Sequence, residues 1–158
     1  EEDAPVEKQI QNLFKKNNFT LAIAESCTGG EIASRLTKIP GSSDYFLGSI
    51  TAYNSSVKKE ILGVDEQLIK THSVVSKEVS KEMALKVREK FSSTYGVSTT
   101  GTAGPSLGDS KEKIGTVYIT ISKKDKIITE KFNFGNHRER IISKTVNKVF
   151  EMLIKIIH

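Results

Sequence analysis

The chain of 158 residues is 37% hydrophobic and 27% charged, with a net charge of +5 and one cysteine. A chain of this length can bury a core within one domain, so we expect a single domain over residues 1–158, with a loose terminus at residues 1–5. No apolar run approaches the roughly 18 residues of a membrane-spanning helix, and the acidic start lacks the features of a secretory signal. These features disfavour a membrane protein and predict a cytoplasmic location, where a lone thiol such as Cys27 stays reduced.

The positive charge does not by itself indicate a nucleic-acid-binding protein. The 24 basic residues are 20 lysines and 4 arginines, and they are scattered beside acidic residues along the predicted helices. Base readout and phosphate recognition favour arginine, and no aromatic residues are arranged for base stacking. We therefore predict a lysine-rich solvated surface and no nucleic-acid partner.

Helices and strands alternate along the first half of the chain. Helical spacing of apolar residues predicts a helix from Pro5 and another around residues 32–36, on either side of a short buried strand at residues 19–24. A second strand at residues 47–53 leads to a helix that Asn54 or Ser55 can cap and Gly63 can end.

The second half of the chain continues this alternation and then changes to a hairpin. The predicted elements are a helix beginning at Ser76, a strand at 95–100, a glycine-rich loop at 101–109, an antiparallel hairpin of 114–122 with 127–134, and a core-packing helix at 138–157. This order predicts an α/β fold: a three-layer α/β/α sandwich on a mixed, mainly parallel sheet with one antiparallel hairpin.

Polar and glycine residues follow three of the predicted strands. Ligands of open α/β sheets bind beyond the carboxyl ends of parallel strands, so we expect the segments at Ser26, Tyr53 and 100–109 to converge. Residues 26–30 offer a hydroxyl, a thiol and backbone N–H groups at a helix start, which suit an oxyanion or a phosphate. The commoner use of such a segment is structural: Ser26 or Thr28 caps the helix, and the two glycines permit a tight turn.

A serine nucleophile requires a base, and the three histidines are poor candidates. His72 lies between predicted helices, His137 precedes the last helix, and His158 ends the chain. Lys58 could serve instead, because a lysine desolvated in a pocket can lose its proton near neutral pH. Its position alone is equally typical of one more exposed helix lysine. Glu25 could orient the site or cap a helix.

No residue pattern indicates a metal or a cofactor. The histidines are far apart and the single cysteine has no partner, so no metal-ligand spacing is present. The Gly-Gly pair lacks the flanking residues of a phosphate-binding loop and the spacing of a dinucleotide fingerprint. We expect neither a metal nor a cofactor.

Five short motifs follow one another along the chain. They are Ala24-Glu25-Ser26-Cys27-Thr28-Gly29-Gly30, then Tyr53-Asn54 with Lys58 and Leu62-Gly63-Val64, then Val75-Ser76, then Gly101-Thr102-Ala103-Gly104-Pro105, and then Gly115-Thr116-Val117. Together they closely resemble the CinA carboxy-terminal domain family, in order, from about residue 7 to residue 157. The first motif combined with the fourth is too distinctive for a chance match.

The resemblance implies an activity, a fold and an assembly. It implies a nicotinamide mononucleotide deamidase, an amidohydrolase of pyridine nucleotide salvage that binds a small-molecule nucleotide. Such domains occur alone or fused behind a larger nucleotide-processing domain in competence- and damage-inducible proteins, and this chain looks like the standalone form. The resemblance also implies a three-layer α/β/α fold and self-association as a homodimer.

The resemblance also implies roles for individual residues. It places the catalytic serine at Ser26, the lysine at Lys58 and the tyrosine at Tyr53. It places substrate-binding residues at Cys27, Thr28, Gly29, Gly30, Gly101, Thr102, Ala103, Gly104 and Arg138. The family arginine usually occurs as Gly-x-Arg, whereas here Arg138 lies one residue further from Gly135.

The implied mechanism begins with a neutral Lys58 that takes the proton of Ser26. The serine oxygen attacks the carboxamide carbon, ammonia leaves, and water hydrolyses the acyl-enzyme. Backbone N–H groups from Cys27 to Gly29 would hold the oxyanion, and Tyr53 would hold Lys58 or steer the leaving amine. The substrate phosphate would bind Arg138 or the loop at 101–104.

Two alternatives stay open at this point. Cys27 is a rival nucleophile, because thiols are intrinsically better nucleophiles and the start of a helix lowers a thiol pKa. The chain could also be a catalytically weak nucleotide-binding or regulatory module linked to competence or the DNA damage response.

Overall fold

The structure of the protein is a computed structural model that describes residues 3–158. Its elements are α1 (Val6–Lys16), β1 (Leu21–Glu25), α2 (Glu31–Thr37), a 3-10 helix (Ser42–Asp44), β2 (Phe46–Thr51), α3 (Ser55–Glu60), α4 (Glu66–His72), α5 (Lys77–Phe91), β3 (Tyr95–Gly101), β4 (Thr116–Lys123), β5 (Lys126–Asn133) and α6 (Arg138–Ile157). Residues 1 and 2 of the expected loose terminus lie outside the described residues. Ala4, from the same segment, accepts a hydrogen bond from the Gln9 side chain.

The five strands form one sheet in the order β2-β1-β3-β4-β5. β1 pairs in parallel with both β2 and β3, and β4 pairs antiparallel with β3 and β5. Within residues 3–158, β4 is therefore the one strand that runs against the others. This confirms the predicted mixed sheet with an antiparallel hairpin.

Helices cover both faces of the sheet and create two cores. Along β1, Leu21 and Ile23 face a core shared with α1, α2 and α6, whereas Ala22 and Ala24 face a core shared with α3 and α5. The strand is buried on both faces, as expected for a central parallel strand. The three-layer prediction is confirmed.

The sequence did not predict α4. Its seven residues include only two apolar ones, Leu68 and Ile69, so no apolar stripe marks it in the sequence. The Asp65 side chain caps it by accepting a hydrogen bond from the Gln67 amide. The prediction that His72 lies between helices is wrong, because His72 is the last residue of α4.

Among residues 3–158, no helix combines the length and the apolar character that a membrane span requires.

Candidate active site

Glu25, the last residue of β1, caps the helix that follows the motif at residues 24–30. Its fully buried carboxylate accepts hydrogen bonds from the backbone amides of Ile32 at 3.0 Å and Ala33 at 3.1 Å. The negative charge also suits the positive end of the helix. Of the two roles considered for Glu25, the structure supports helix capping.

The prediction that Ser26 or Thr28 caps α2 is wrong. Gly30 occupies the N-cap position of α2 with φ of 98°, and a glycine has no side chain that could accept a hydrogen bond from the helix amides. The Thr28 hydroxyl instead shares a hydrogen bond of 2.9 Å with that of Thr99 on the neighbouring strand. With Glu25 acting as the cap, the Ser26 hydroxyl is left for another partner.

That partner is Lys58, which comes from the next helix along the chain. The Asn54 side chain caps α3 by accepting from the Ser56 amide, and Lys58 follows one turn later with only 2% of its surface exposed. Its Nζ lies 2.9 Å from Ser26 Oγ, 2.9 Å from the Ala52 carbonyl oxygen and 3.2 Å from that of Tyr53. These three oxygens surround the nitrogen at the carboxyl ends of β1 and β2.

Burial lowers the pKa of Lys58 to about 8, because a charged ammonium is poorly solvated there. The negative charge of Asp109 acts in the opposite direction but does not outweigh the burial. A pKa near 8 leaves about a tenth of the side chain neutral at pH 7. Lys58 can therefore act as a base toward Ser26.

Burial of the thiol disfavours Cys27, the alternative nucleophile. Burial raises its pKa to about 12, although the nearby Lys58 charge lowers it in part. The side chain is 6% exposed and packs beside Gly101, so desolvation outweighs the favourable effect of the helix start. At neutral pH the thiol stays protonated.

Tyr53 and Arg138 meet at the mouth of the site. Tyr53 is 57% exposed, and its hydroxyl accepts a hydrogen bond of 2.8 Å from Arg138. Arg138 also donates to the Gly104 carbonyl. Only the Tyr53 backbone contacts Lys58, so the expectation that the tyrosine side chain holds this lysine does not agree with the structure.

Arg138 reaches the site despite its extra residue of spacing. Gly115, with φ of 91°, packs directly against the Gly135 backbone at a point where a Cβ would collide with the carbonyl oxygen. The Gly115 carbonyl also accepts a hydrogen bond from the Phe134 amide. This close approach fixes the start of α6 beside the loop that follows β3, and Arg138 is the first residue of α6.

One pocket of about 300 Å³ opens at the carboxyl ends of β1, β2 and β3. The predicted site residues that line it are Ser26, Cys27, Tyr53, Lys58, Gly101, Thr102, Ala103, Gly104 and Arg138. The expected convergence of the three strand-end segments is therefore present. The other predicted binding residues, Thr28, Gly29 and Gly30, do not line the pocket, because the chain turns there into α2. We therefore do not include them among the binding residues.

Several further residues that line the pocket were not among the predicted site residues. Two of them, Val74 and Val75, lie before α5 and have side chains without a functional group; the Val75-Ser76 motif was the available signal. Ser55 and Asp109 also line the pocket, and the Ser55 hydroxyl donates to the Asp109 carboxylate at 3.1 Å. The position of Asp109 at a predicted loop end was the available signal.

The remaining titratable candidates lie elsewhere. His137, considered as a base, is the N-cap residue of α6 and does not line the pocket. In the part of the chain that the structure describes, no three His, Cys, Asp or Glu side chains come together as a metal-ligand set.

The pocket lies at the carboxyl ends of parallel strands, which is where open α/β proteins commonly bind their ligands. The family model of the CinA C-terminal domain matches residues 3–157. The chain belongs to the CinA C-terminal domain family.

Two curated relatives are similar in sequence to nearly the whole of this chain. A CinA-like protein of Flavobacterium psychrophilum is 43% identical over 155 residues, which cover 98% of this chain and 37% of that protein. A putative competence-damage inducible protein of Caldanaerobacter subterraneus is 38% identical over 152 residues, which cover 96% of this chain and 37% of that protein. The chain thus spans little more than a third of the length of these relatives.

Solved structures share the fold over nearly their whole length. The competence/damage inducible protein CihA from Agrobacterium tumefaciens superposes with a TM-score of 0.92 at 29% identity, covering 97% of this chain and 94% of that one. A CinA superfamily protein from Klebsiella pneumoniae gives a TM-score of 0.92 at 22% identity, covering 96% and 95%.

Proposed function

We propose that the chain is an amidohydrolase that converts nicotinamide mononucleotide to nicotinic acid mononucleotide and ammonia, in pyridine nucleotide salvage. The observation that carries this proposal is the 2.9 Å contact between Lys58 Nζ and Ser26 Oγ inside a pocket. The substrate is the one that resemblance to the CinA carboxy-terminal domain implies.

The three oxygens around Lys58 Nζ can accept from the three N–H groups of an ammonium, and they also accommodate the neutral amine that the reaction requires. Such an amine has two N–H donors and one lone pair, and the Ala52 and Tyr53 carbonyl oxygens can only accept. If the two N–H groups donate to these carbonyls, the lone pair faces Ser26 Oγ. The serine hydroxyl then donates to the lysine, which is the arrangement that general base catalysis requires.

The reaction proceeds in two stages. The proton of Ser26 passes to Lys58 while Oγ bonds to the carboxamide carbon, and the C–N bond then breaks as Lys58 returns the proton to the departing ammonia. Water next attacks the acyl-enzyme and gives a proton to Lys58, which passes it to Ser26 as the ester bond breaks. Nicotinic acid mononucleotide leaves, and both side chains recover their starting states.

The oxyanion needs a donor that is not already engaged. The Gly29 amide donates to the Ser26 carbonyl at 3.1 Å, so we exclude it. The Cys27 amide donates to no other residue within 3–158, and a donor directly after the nucleophile is a common component of oxyanion holes. We assign the oxyanion to the Cys27 amide, where one donor contributes on the order of 3 kcal/mol.

The substrate phosphate requires a cation or free amides. The amides at the start of α2 are occupied by Glu25, so a phosphate cannot bind there. Among the described residues, the Arg138 guanidinium donates hydrogen bonds only to the neutral Tyr53 hydroxyl and the Gly104 carbonyl and forms no salt bridge, so its charge is left to pair with an anion. We therefore assign the phosphate to Arg138.

The test is ammonia release from nicotinamide mononucleotide, nicotinamide riboside and nicotinamide. Wild type is expected to act on the nucleotide, and Ser26→Ala is expected to lose at least about a thousandfold in kcat. Ser34→Ala, on the exposed side of α2, is the matched control and should not change the rate.

Cys27→Ala separates the two nucleophiles and should remain active. Activity that survives Ser26→Ala but not Cys27→Ala would contradict the mechanism. Binding of the nucleotide by wild type without turnover of any of the three amides would favour the binding or regulatory module instead.

A further inference from the structure

Asp109 is a pocket residue to which the proposed reaction assigns no role. Its carboxylate accepts the Ser55 hydroxyl at 3.1 Å, and Ser55 lies three residues before Lys58 on α3. Residues at this spacing share one face of a helix. The carboxylate therefore lies at the pocket surface on the same side as Lys58.

The charge of Asp109 works against the base. A carboxylate near Lys58 favours the ammonium and raises the lysine pKa, which reduces the neutral fraction that the reaction needs. Among the described residues that line the pocket, Asp109 is the one carboxylate, and it forms no ion pair within residues 3–158. Its position is explained if the bound ligand brings a cation.

The proposed substrate brings such a cation. An N-ribosylated nicotinamide ring is a pyridinium with a formal positive charge, whereas free nicotinamide is neutral. With the amide carbon at Ser26 and the phosphate at Arg138, the ring lies between these two residues, within the pocket that Asp109 lines. The negative side chain of Asp109 then faces the positive ring, and the permanently positive side chain of Arg138 faces the negative phosphate.

We propose that Asp109 is a specificity residue that recognises the positive charge of the ring, so that the site selects carboxamides on an N-alkylated pyridinium over carboxamides on a neutral ring. This inference rests on the proposed function, because it assumes that the amide is presented to Ser26. Asp109 contacts the ring and takes no part in proton transfer.

The test measures binding in the absence of turnover. In a Ser26→Ala background, calorimetry gives the Kd of nicotinamide mononucleotide and of benzamide riboside 5′-phosphate, whose ring is neutral. Asp109→Asn is expected to weaken binding of the nucleotide about fivefold, the size of a partly exposed charge contact, and to leave the neutral analogue unchanged. Asp125→Asn, in the β4–β5 turn at the far end of the sheet, is the control for the loss of one charge.

The possible outcomes separate the inference from the function. Equal weakening of the binding of both ligands would overturn the inference, because a ribose contact or a structural role of Asp109 would affect both alike. Unchanged binding of the nucleotide would also overturn it. A selective loss alongside no ammonia release by wild type would uphold the charge recognition and overturn the hydrolase. Failure of the nucleotide to bind at all would overturn both.

Discussion

Lys58 shows how burial changes the chemistry of an ordinary residue type. It is one of 20 lysines and lies next to Lys59, whose ammonium pairs with Glu66 at the surface. Only the docking of α3 decides which of the two lysines faces inward. The motif resemblance identified Lys58, but spacing alone could not have distinguished it from its neighbour.

The lowered pKa of Lys58 predicts how the rate depends on pH. The neutral amine is the active form, so kcat/KM for nicotinamide mononucleotide should rise with pH and level off above about 8. Below that value it should fall about tenfold per pH unit, because protonation removes the base. Steady-state kinetics between pH 6 and 9 measure this fall in kcat/KM. A profile that is flat over the same range would contradict the role of Lys58.

Cys27 and Tyr53 show how tertiary contacts alter expectations made from single residues. The helix start next to Cys27 predicted a lowered thiol pKa, but the strand ends around it remove water, and desolvation is the larger effect. Of the two roles considered for Tyr53, the structure does not support holding Lys58, because the tyrosine hydroxyl meets Arg138; steering the leaving amine stays a prediction. Both outcomes depend on tertiary contacts between segments far apart in the chain.

At the scale of elements, the first strand and the helix after it form one unit through Glu25. The carboxylate of β1 satisfies two amides that would otherwise be unpaired at the buried start of α2. Ser26 directly follows Glu25, so the same contacts fix the path of the chain at the hydroxyl. The sequence placed Glu25 at a strand end but left two roles open, because the distance to Ile32 is set only by the turn between them.

Replacing Glu25 by glutamine tests whether its carboxylate joins β1 to the start of α2. The amide keeps one acceptor but turns an NH₂ group toward a backbone N–H, which leaves a buried donor unsatisfied. Glu25→Gln is expected to lower the free energy of unfolding by about 1–3 kcal/mol, as measured by urea denaturation. Glu31→Gln, at the exposed first position of α2, is the matched control, and equal stability of the two variants would refute the capping role.

Element prediction succeeded where apolar periodicity was strong. The first and last helices and the hairpin follow the predicted limits closely, because each carries a regular apolar pattern. α4 was missed because it is short and has only two apolar residues. The sequence also did not reveal that β4 pairs with the central β3, since hairpin patterning specifies only the pairing of β4 with β5.

At the scale of the whole molecule, the fold brings together side chains from distant parts of the chain. Ser26, Lys58 and Arg138 lie at the same end of the sheet because β1, β2 and β3 run in parallel and α6 returns to that end. The rule for open α/β sheets predicted this convergence. The individual contacts among these side chains could not be predicted from the sequence, because they depend on how the helices pack on the sheet.

Some expectations for the whole molecule stay predictions. The homodimer, the cytoplasmic location and the single, standalone domain came from the sequence and its resemblance to a family. The curated relatives are much longer than this chain, which covers 37% of two of them. Activities of those complete proteins are therefore not assigned to this chain.

The measurement that tests the central claim most directly compares two adjacent lysines. Lys58→Met keeps a side chain of similar length without the amine, and Lys59→Met removes a neighbouring surface amine from the same helix. Ammonia release from nicotinamide mononucleotide should fall about 100- to 10,000-fold in Lys58→Met and stay at the wild-type rate in Lys59→Met, with urea denaturation showing both variants folded. A folded Lys58→Met that deamidates at the wild-type rate would contradict the proposed Ser26–Lys58 mechanism.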